Sequence, residues 1–254
     1  MTNAIVLCYH ALSPTWDADL STTPERFEEQ VAMLVRRGYR GVTFSEAVRA
    51  EPGDRTLAVT FDDAYRSVLE LARPILDRFE VPATVFAPTA GIDAARPLNW
   101  PGIDHWHRGP HETELTPMSW DELRMLATAG WEIGSHTVTH PRLTQLDDAT
   151  LSDELTRSKA ACEQQLGSPC TSLAYPYGDF DARVVAATAG AGYGAAATLP
   201  RRLNPAGALQ WPRIGVYRAD DERRFRVKVS PTVRRLRRSA LWHALEASRG
   251  LLRR

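Results

Sequence analysis

The chain is short of cysteine, carries no net charge and has no apolar run long enough to cross a membrane. Its three cysteines, Cys8, Cys162 and Cys170, are odd in number and show no paired spacing, which excludes a complete disulfide framework and a cysteine-based zinc motif. A reducing compartment is the expectation from that shortage. Lys plus Arg and Asp plus Glu stand at 31 each, so nothing in the overall balance favours nucleic acid as a partner. The opening MTNAIVLCYHALSP lacks the basic start and extended apolar core of a secretory leader, and no segment approaches the roughly 20 apolar residues that span a bilayer. Together these absences predict a cytoplasmic protein. No internal repeat is present, which excludes solenoids and propellers.

What is there is an alternation of apolar runs bounded by turn residues with stretches of helical period, the pattern of a parallel sheet or barrel with helices outside. Strands are expected near AIVLCY, GVTF, TLAVTF, ATVFAP, WEIGSH, SLAYPY, GAAAT and RIGVY. Helices are expected over Pro24 to Arg37, Ser67 to Phe79, Trp120 to Ala129 and Asp147 to Leu166, the last opened by an Asp and closed by Gly167. The segment AARPLNWPGIDHWHRGPHETELTP is the one long insertion, and its His105, His107 and His111 read as rim or surface more readily than as a second metal site. The sequence divides into a barrel over 1–220 and a basic, helical tail over 221–254. The tail carries Val233, Leu236, Leu241, Leu245 and Leu252 among clustered arginines. Such a helix can pack on its own domain or lie on an anionic membrane as a peripheral contact, and on the cytoplasmic reading that would be the inner face.

Two short segments carry chemistry. His136 and His140, in SHTVTH, are four residues apart, and one helical turn would bring both imidazoles to one face. Two nitrogens do not make a catalytic metal site, because such sites take three protein ligands. The strand TLAVTF runs into Asp62 and Asp63, which can cap a following helix or meet at the strand's end. Adjacent carboxylates are costly when both are desolvated and ionised, and a cation offsets that cost. One Asp with two His leaves open coordination positions, and the spare carboxylate can take the proton from the metal's water.

Thr60-Phe61-Asp62-Asp63, His136-Thr137-Val138-Thr139-His140 and Ala174-Tyr175-Pro176-Tyr177, in that order, resemble the motifs of the polysaccharide deacetylases of carbohydrate esterase family 4, the NodB homology family. The resemblance spans roughly residues 4 to 217. It implies a distorted (β/α)₇ barrel, with Asp63, His136 and His140 holding one divalent metal ion and Asp62 as general base. It also implies that the backbone N–H of Tyr177 helps bind the developing oxyanion, and it sets Tyr175 and Pro176 beside the substrate. Zinc is the first choice of metal, with cobalt, nickel and iron also suited to imidazole and carboxylate ligands.

The chain departs from the family pattern twice. Ala174 stands where the family carries an Arg that orients the base, and Arg213 in WPRIGV is the replacement expected to grip Asp62. No strand-borne histidine follows Tyr217. His10 in IVLCYH is therefore the candidate general acid, as in members that deacetylate poly-N-acetylglucosamine and carry the motifs in circularly permuted order. Trp100, Trp106, Trp120 and Tyr177 can stack on a sugar, with Trp106 ranked first for its place in the insertion. The reading is a metal-dependent hydrolase that removes an N-acetyl group, or an O-acetyl or formyl group, from a sugar, lipid-linked sugar or short glycan. An amidohydrolase acting on a cyclic imide or ureide and a non-catalytic carbohydrate-binding barrel are the alternatives.

Overall fold

Burial on both faces explains which apolar runs become strands. In this computed structural model, which describes residues 4–239 apart from 52, 95, 201, 202 and 204–206, strands β1 (Ile5–Tyr9) and β5 (Thr56–Asp62) are buried throughout. Ile5, Leu7, Tyr9, Leu57, Val59 and Phe61 point outward into a large core against the helices. Val6 and Ala58 point inward, with Phe86, Ala174, Ala195 and Ala197, into a smaller core inside the sheet. The period-two alternation of a strand produces this division.

Two short strands, β2 (Ala11–Leu12) and β3 (Ser21–Thr22), form a separate ladder. The main sheet adds β4 (Arg40–Gly41), β6 (Ala83–Ala87), β7 (Glu132–Ser135), β8 (Ser172–Ala174), β9 (Ala195–Thr198), β10 (Trp211–Pro212) and β11 (Ile214–Gly215). Its order is β10-β9-β8-β7-β6-β5-β1-β11, with β4 on the start of β5, and every pairing is parallel. The two end strands, β10 and β11, are separated in sequence by Arg213 alone. The segment 211–215 thus reaches from one edge to the other and nearly closes the sheet. This is a distorted (β/α) barrel with extra helices at its C-terminal end.

Helices α1 (Pro24–Arg36), α3 (Arg73–Arg78), α4 (Trp120–Thr128), α5 (Asp148–Leu166) and α6 (Ala182–Gly190) cover the outside. Three of the expected helices hold to within a residue or so, and Gly167 ends α5 in the left-handed conformation at φ 67°. Two expectations need correction. GVTF is not a strand: pairing stops at Gly41, and Thr43 and Glu46 form a reciprocal capping box that opens α2 (Phe44–Arg49). The helix expected from Ser67 begins as a π-turn over Val68–Ala72 before α3, in line with Pro74, whose missing N–H removes an α-helical bond there.

In the tail, α7 (Glu222–Val229) buries Phe225 and Val229, and α8 (Pro231–Arg238) buries Arg234, whose Nη2 donates to the Ala4 carbonyl at 2.7 Å. Val233 is half-buried and Leu236 is exposed. Leu241, Leu245 and Leu252 lie outside the described residues.

Candidate metal and catalytic centre

Parallel strands end on one side, so the residues that follow β1, β5, β7 and β8 share one mouth of the barrel. Asp62 is the last residue of β5, on the inward face with Ala58 and Thr60. Asp63 and Ala64 follow at φ 70° and 55°. Both are left-handed, so the chain turns at once and the second carboxylate also reaches the mouth. Neither Asp caps a helix, since the next helical segment is preceded by Ser67, which makes no side-chain cap bond.

His136 and His140 converge from a loop and not from the helical turn expected from their spacing; Thr137 and His140 are both left-handed, at φ 67° and 60°. Asp63 Oδ1 lies 3.5 Å from His136 Nε2 and 3.4 Å from His140 Nε2. Ligands about 2.1 Å from one tetrahedral ion stand about 3.4 Å apart, so these spacings fit a divalent metal. The donor chemistry fits as well. His136 Nδ1–H donates to the Ala174 carbonyl at 2.8 Å, which turns the Nε2 lone pair toward Asp63. Asp63 Oδ1 is buried with no hydrogen-bond partner among the described residues. Burial, and then the Asp62 charge, push the Asp63 carboxyl well up despite Arg213, a cost that a cation removes. Burial lowers both histidines, which keeps them in the neutral, ligating form. The three form a divalent-metal-binding triad.

Asp62 is held differently. Arg213, at the closure between β10 and β11, donates Nη1 to Asp62 Oδ1 at 2.6 Å and Nη2 to Oδ2 at 2.7 Å. Its Nη1 also reaches Thr60 Oγ1 at 2.9 Å, and its side chain is wholly buried. Burial alone would raise the Asp62 carboxyl, but the Arg213 charge, joined by His136 and His10 only at the low pH where their rings are protonated, holds it well below the usual carboxylate range. Cys8 Sγ sits 3.5 Å from Asp62 Oδ2. A ring nitrogen of His10, Cys8 Sγ and an Asp62 oxygen all lie within 4.8 Å of one another. Burial lowers His10 to about 4, so its imidazole is uncharged at neutral pH.

The aromatic residues divide between site and scaffold. Tyr177 occupies a left-handed conformation at φ 58°, and its ring lies 4.6 Å from that of His140. Trp100 stacks on His140 at 4.3 Å. Tyr175 and Pro176 are buried, and the Tyr175 hydroxyl donates to the Leu209 carbonyl, so both pack the scaffold and offer no face to a sugar, contrary to expectation. Trp106 packs edge-on against buried Trp16 and anchors the insertion; Trp100 is the tryptophan stacked on the triad. His105, His107 and His111 belong to neither group of close metal-ligating side chains among the described residues.

Glu154 is a residue that sequence reasoning missed. From α5 it accepts the N–H groups of Val138 and Thr139 at 2.8 and 2.9 Å and the Thr139 hydroxyl at 2.6 Å. That clamp fixes the loop between the two histidines. A glutamate next to Leu155 on the inward stripe of α5 was the available signal, since an unpaired buried carboxylate is rarely tolerated.

A near-closed parallel barrel with an Asp-His-His triad at its C-terminal mouth defines a metal-binding barrel of the hydrolase type. Residues 49–196, more than half of the sequence, match the Polysaccharide deacetylase family, and the chain belongs to that family. YxkH of Bacillus subtilis strain 168 is 26% identical over 193 residues, covering 74% of this chain and 61% of its own. A poly-beta-1,6-N-acetyl-D-glucosamine N-deacetylase of Staphylococcus aureus is 26% identical over 171 residues, covering 62% of this chain and 54% of its own. The chain thus spans only about half to three fifths of the length of these curated relatives. The Streptococcus pyogenes deacetylase PplD, solved in complex with acetate, superposes with a TM-score of 0.74 at 23% identity, covering 90% of this chain and 98% of that one. The cytoplasmic location expected above is corrected by this comparison, because the deacetylases that share the fold are periplasmic or extracellular enzymes. The three thiols are all buried, so their unpaired state does not report a reducing compartment.

Proposed function

We propose that this protein is a metal-dependent hydrolase that removes the N-acetyl group from an acetylated sugar or short glycan. The observation that carries the reading is the separation of two adjacent carboxylates into two tasks. Asp63 faces two imidazoles, while Asp62 is held by Arg213 and left out of the triad. A divalent ion on Asp63, His136 and His140, zinc before cobalt, nickel or iron, supplies Lewis acidity that polarises a carbonyl and makes water more acidic.

The rest falls to the chain's own residues. Asp62 accepts the proton of the attacking water; being a weak base, it needs a donor already made acidic. Water oxygen bonds to the acetyl carbon, the C–N bond breaks, and the departing nitrogen takes a proton to become an amine. His10 is the donor on this reading. It begins uncharged, and negative charge developing on the substrate oxygen raises its proton affinity. It therefore takes over the water's proton from Asp62, an oxygen of which lies within 4.8 Å of a ring nitrogen, and passes it to the departing nitrogen, which returns both side chains to their starting states. The Tyr177 N–H receives part of that charge. Trp100, stacked on His140, offers the apolar face for a sugar ring. The name of the staphylococcal relative makes β-1,6-linked N-acetylglucosamine the first substrate to try. The division into a barrel over 1–220 and a tail over 221–254, with peripheral membrane contact through the tail, is part of the same proposal; no described helix is long and apolar enough to cross a membrane.

The test pairs metal content with acetate release. About one equivalent of metal in the wild type, lost in His136→Ala, with chelator-sensitive acetate release from N-acetylglucosamine oligomers, is the expected result. Metal bound without acetate from any acetylated glycan refutes the substrate assignment, and no metal uptake refutes the hydrolase.

A further inference from the structure

The end of the barrel away from the metal carries a groove of about 850 Å³. Arg37, Arg55, Arg226, Arg234, Arg235 and Arg238 line it together with Tyr39, and no carboxylate is among its described lining residues. Its position follows from the strand register. Tyr39 and Arg55 directly precede Arg40 and Thr56, which pair at the start of β5, whereas Asp62 ends that strand about 20 Å away. Arg234 reaches the carbonyl of Ala4, just ahead of β1.

A row of exposed arginines is usually a solvated face, but three observations set this one apart. The arginines come from two separate parts of the chain, the α1–β5 region and α7–α8, and surround a concavity. Arg37, Arg55 and Arg235 have no carboxylate partner among the described residues, and Arg226 has a long contact of 3.6 Å to exposed Glu222. Like charge is also held at close range: burial, and then the Arg234 charge, lower Arg238 from its ordinary value. Next to Arg226 and Arg235 in sequence, outside the groove's lining, Val227 and Leu236 are 52% and 37% exposed. Guanidinium groups match phosphate in two-pronged fashion, and apolar side chains flanking a basic surface suit the boundary between headgroups and acyl chains.

We propose that this groove binds the phosphate groups of an anionic lipid surface, so that the barrel docks on a bilayer with its metal centre at the opposite end. The site is independent of the hydrolase reading. It extends the contact proposed for the tail, which supplies Arg226, Arg234, Arg235 and Arg238, to Arg37, Tyr39 and Arg55 of the barrel itself.

The experiment is co-sedimentation of the full chain, metal-loaded, with phosphatidylcholine vesicles with and without phosphatidylglycerol. The comparison is the triple variant Arg37→Gln, Arg55→Gln, Arg235→Gln. These side chains are exposed, so an unchanged melting temperature and metal content will show that the variant is folded. The expected result is binding only to the anionic vesicles, roughly hundredfold weaker in the variant and weakened by salt. Absence of binding, or equal binding by both proteins, overturns the proposal; the second outcome places the contact elsewhere in the chain. A titration with inorganic phosphate separates the sources. Phosphate binding that the variant loses, without vesicle binding, makes the groove a site for a soluble anion and also overturns the proposal.

Discussion

Removing Arg213 should destabilise the protein in a way whose pH dependence identifies the cause. Its guanidinium makes two hydrogen bonds to Asp62, at 2.6 and 2.7 Å, and one to Thr60, in a region where Arg213 and Asp62 are 1% and 2% exposed. Arg213→Ala leaves the Asp62 charge buried without its partner, which costs about 3–5 kcal/mol. For a chain of this size that lowers the melting temperature by roughly 6–20 °C. The sign with pH is distinctive. In the wild type Asp62 is held below its unfolded value of about 3.9, so its contribution is present above that pH and is lost as pH falls further. In the variant, burial is no longer outweighed and the carboxyl rises. The folded state then binds more protons than the unfolded chain, and stability falls as pH increases above about 4. The cost of the substitution should therefore shrink on acidification from pH about 7.5 to about 5, and Asp62→Asn in the same background should recover part of it at the higher pH. Urea unfolding of metal-free protein measures this without ion loss contributing. A cost below about 1 kcal/mol, or one equal at both pH values, would refute the reasoning.

Three further outcomes follow from the same site. Asp62→Asn should retain the metal, because Asp63, His136 and His140 remain, yet reduce turnover by about 10²–10⁴-fold; a variant within tenfold of wild type would remove Asp62 from the proton transfer. Glu154→Ala should loosen the loop between the histidines and weaken metal affinity by about 10–100-fold, read by competition with a chromogenic chelator, and unchanged affinity would show that the loop holds without its clamp. Between pH about 6.5 and about 4 the unfolded chain carries a proton on His10 that the folded protein lacks, so stability rises with pH across that window. His10→Asn should flatten that slope by about 2 kcal/mol after allowance for the ring's partial exposure, and parallel wild-type and variant profiles would contradict the burial argument.

The metal triad was legible because its residue types and order are restrictive, but the geometric reason offered by the spacing was wrong. An i,i+4 pair suggests a helix, whereas His136 and His140 meet through left-handed residues and the Glu154 clamp. That clamp is a long-range contact, so nothing within SHTVTH announces it. Strands β1 and β5 were legible because both of their faces are buried, which leaves an unbroken apolar run. Of the two-residue strands at the closure, β11 falls within the expected RIGVY strand, whereas β10 was not legible, since closure of the barrel and not local propensity pairs it. Aromatic residues in the insertion carry no local mark that separates Trp100, stacked on a metal ligand, from Trp106, packed on Trp16.

The departure at Ala174 shows how closure and chemistry are linked. The barrel interior beside it is filled mainly by small residues, Ala58, Ala174, Ala195 and Ala197, with Phe44 and Phe86. A long side chain from β8 would have to share that space with the guanidinium of Arg213, which already lies 5.4 Å from the Phe86 ring centroid. The small residue at 174 and the arginine at 213 are thus complementary. The charge that fixes Asp62 enters from the closing segment, and β8 keeps the Ala174 carbonyl, which sets the His136 tautomer. In sequence these positions are 39 residues apart and look unrelated. Only the near-closure of the sheet, with Cys8 in register with both Thr60 and Gly215, brings Arg213 across from the edge strand to Asp62.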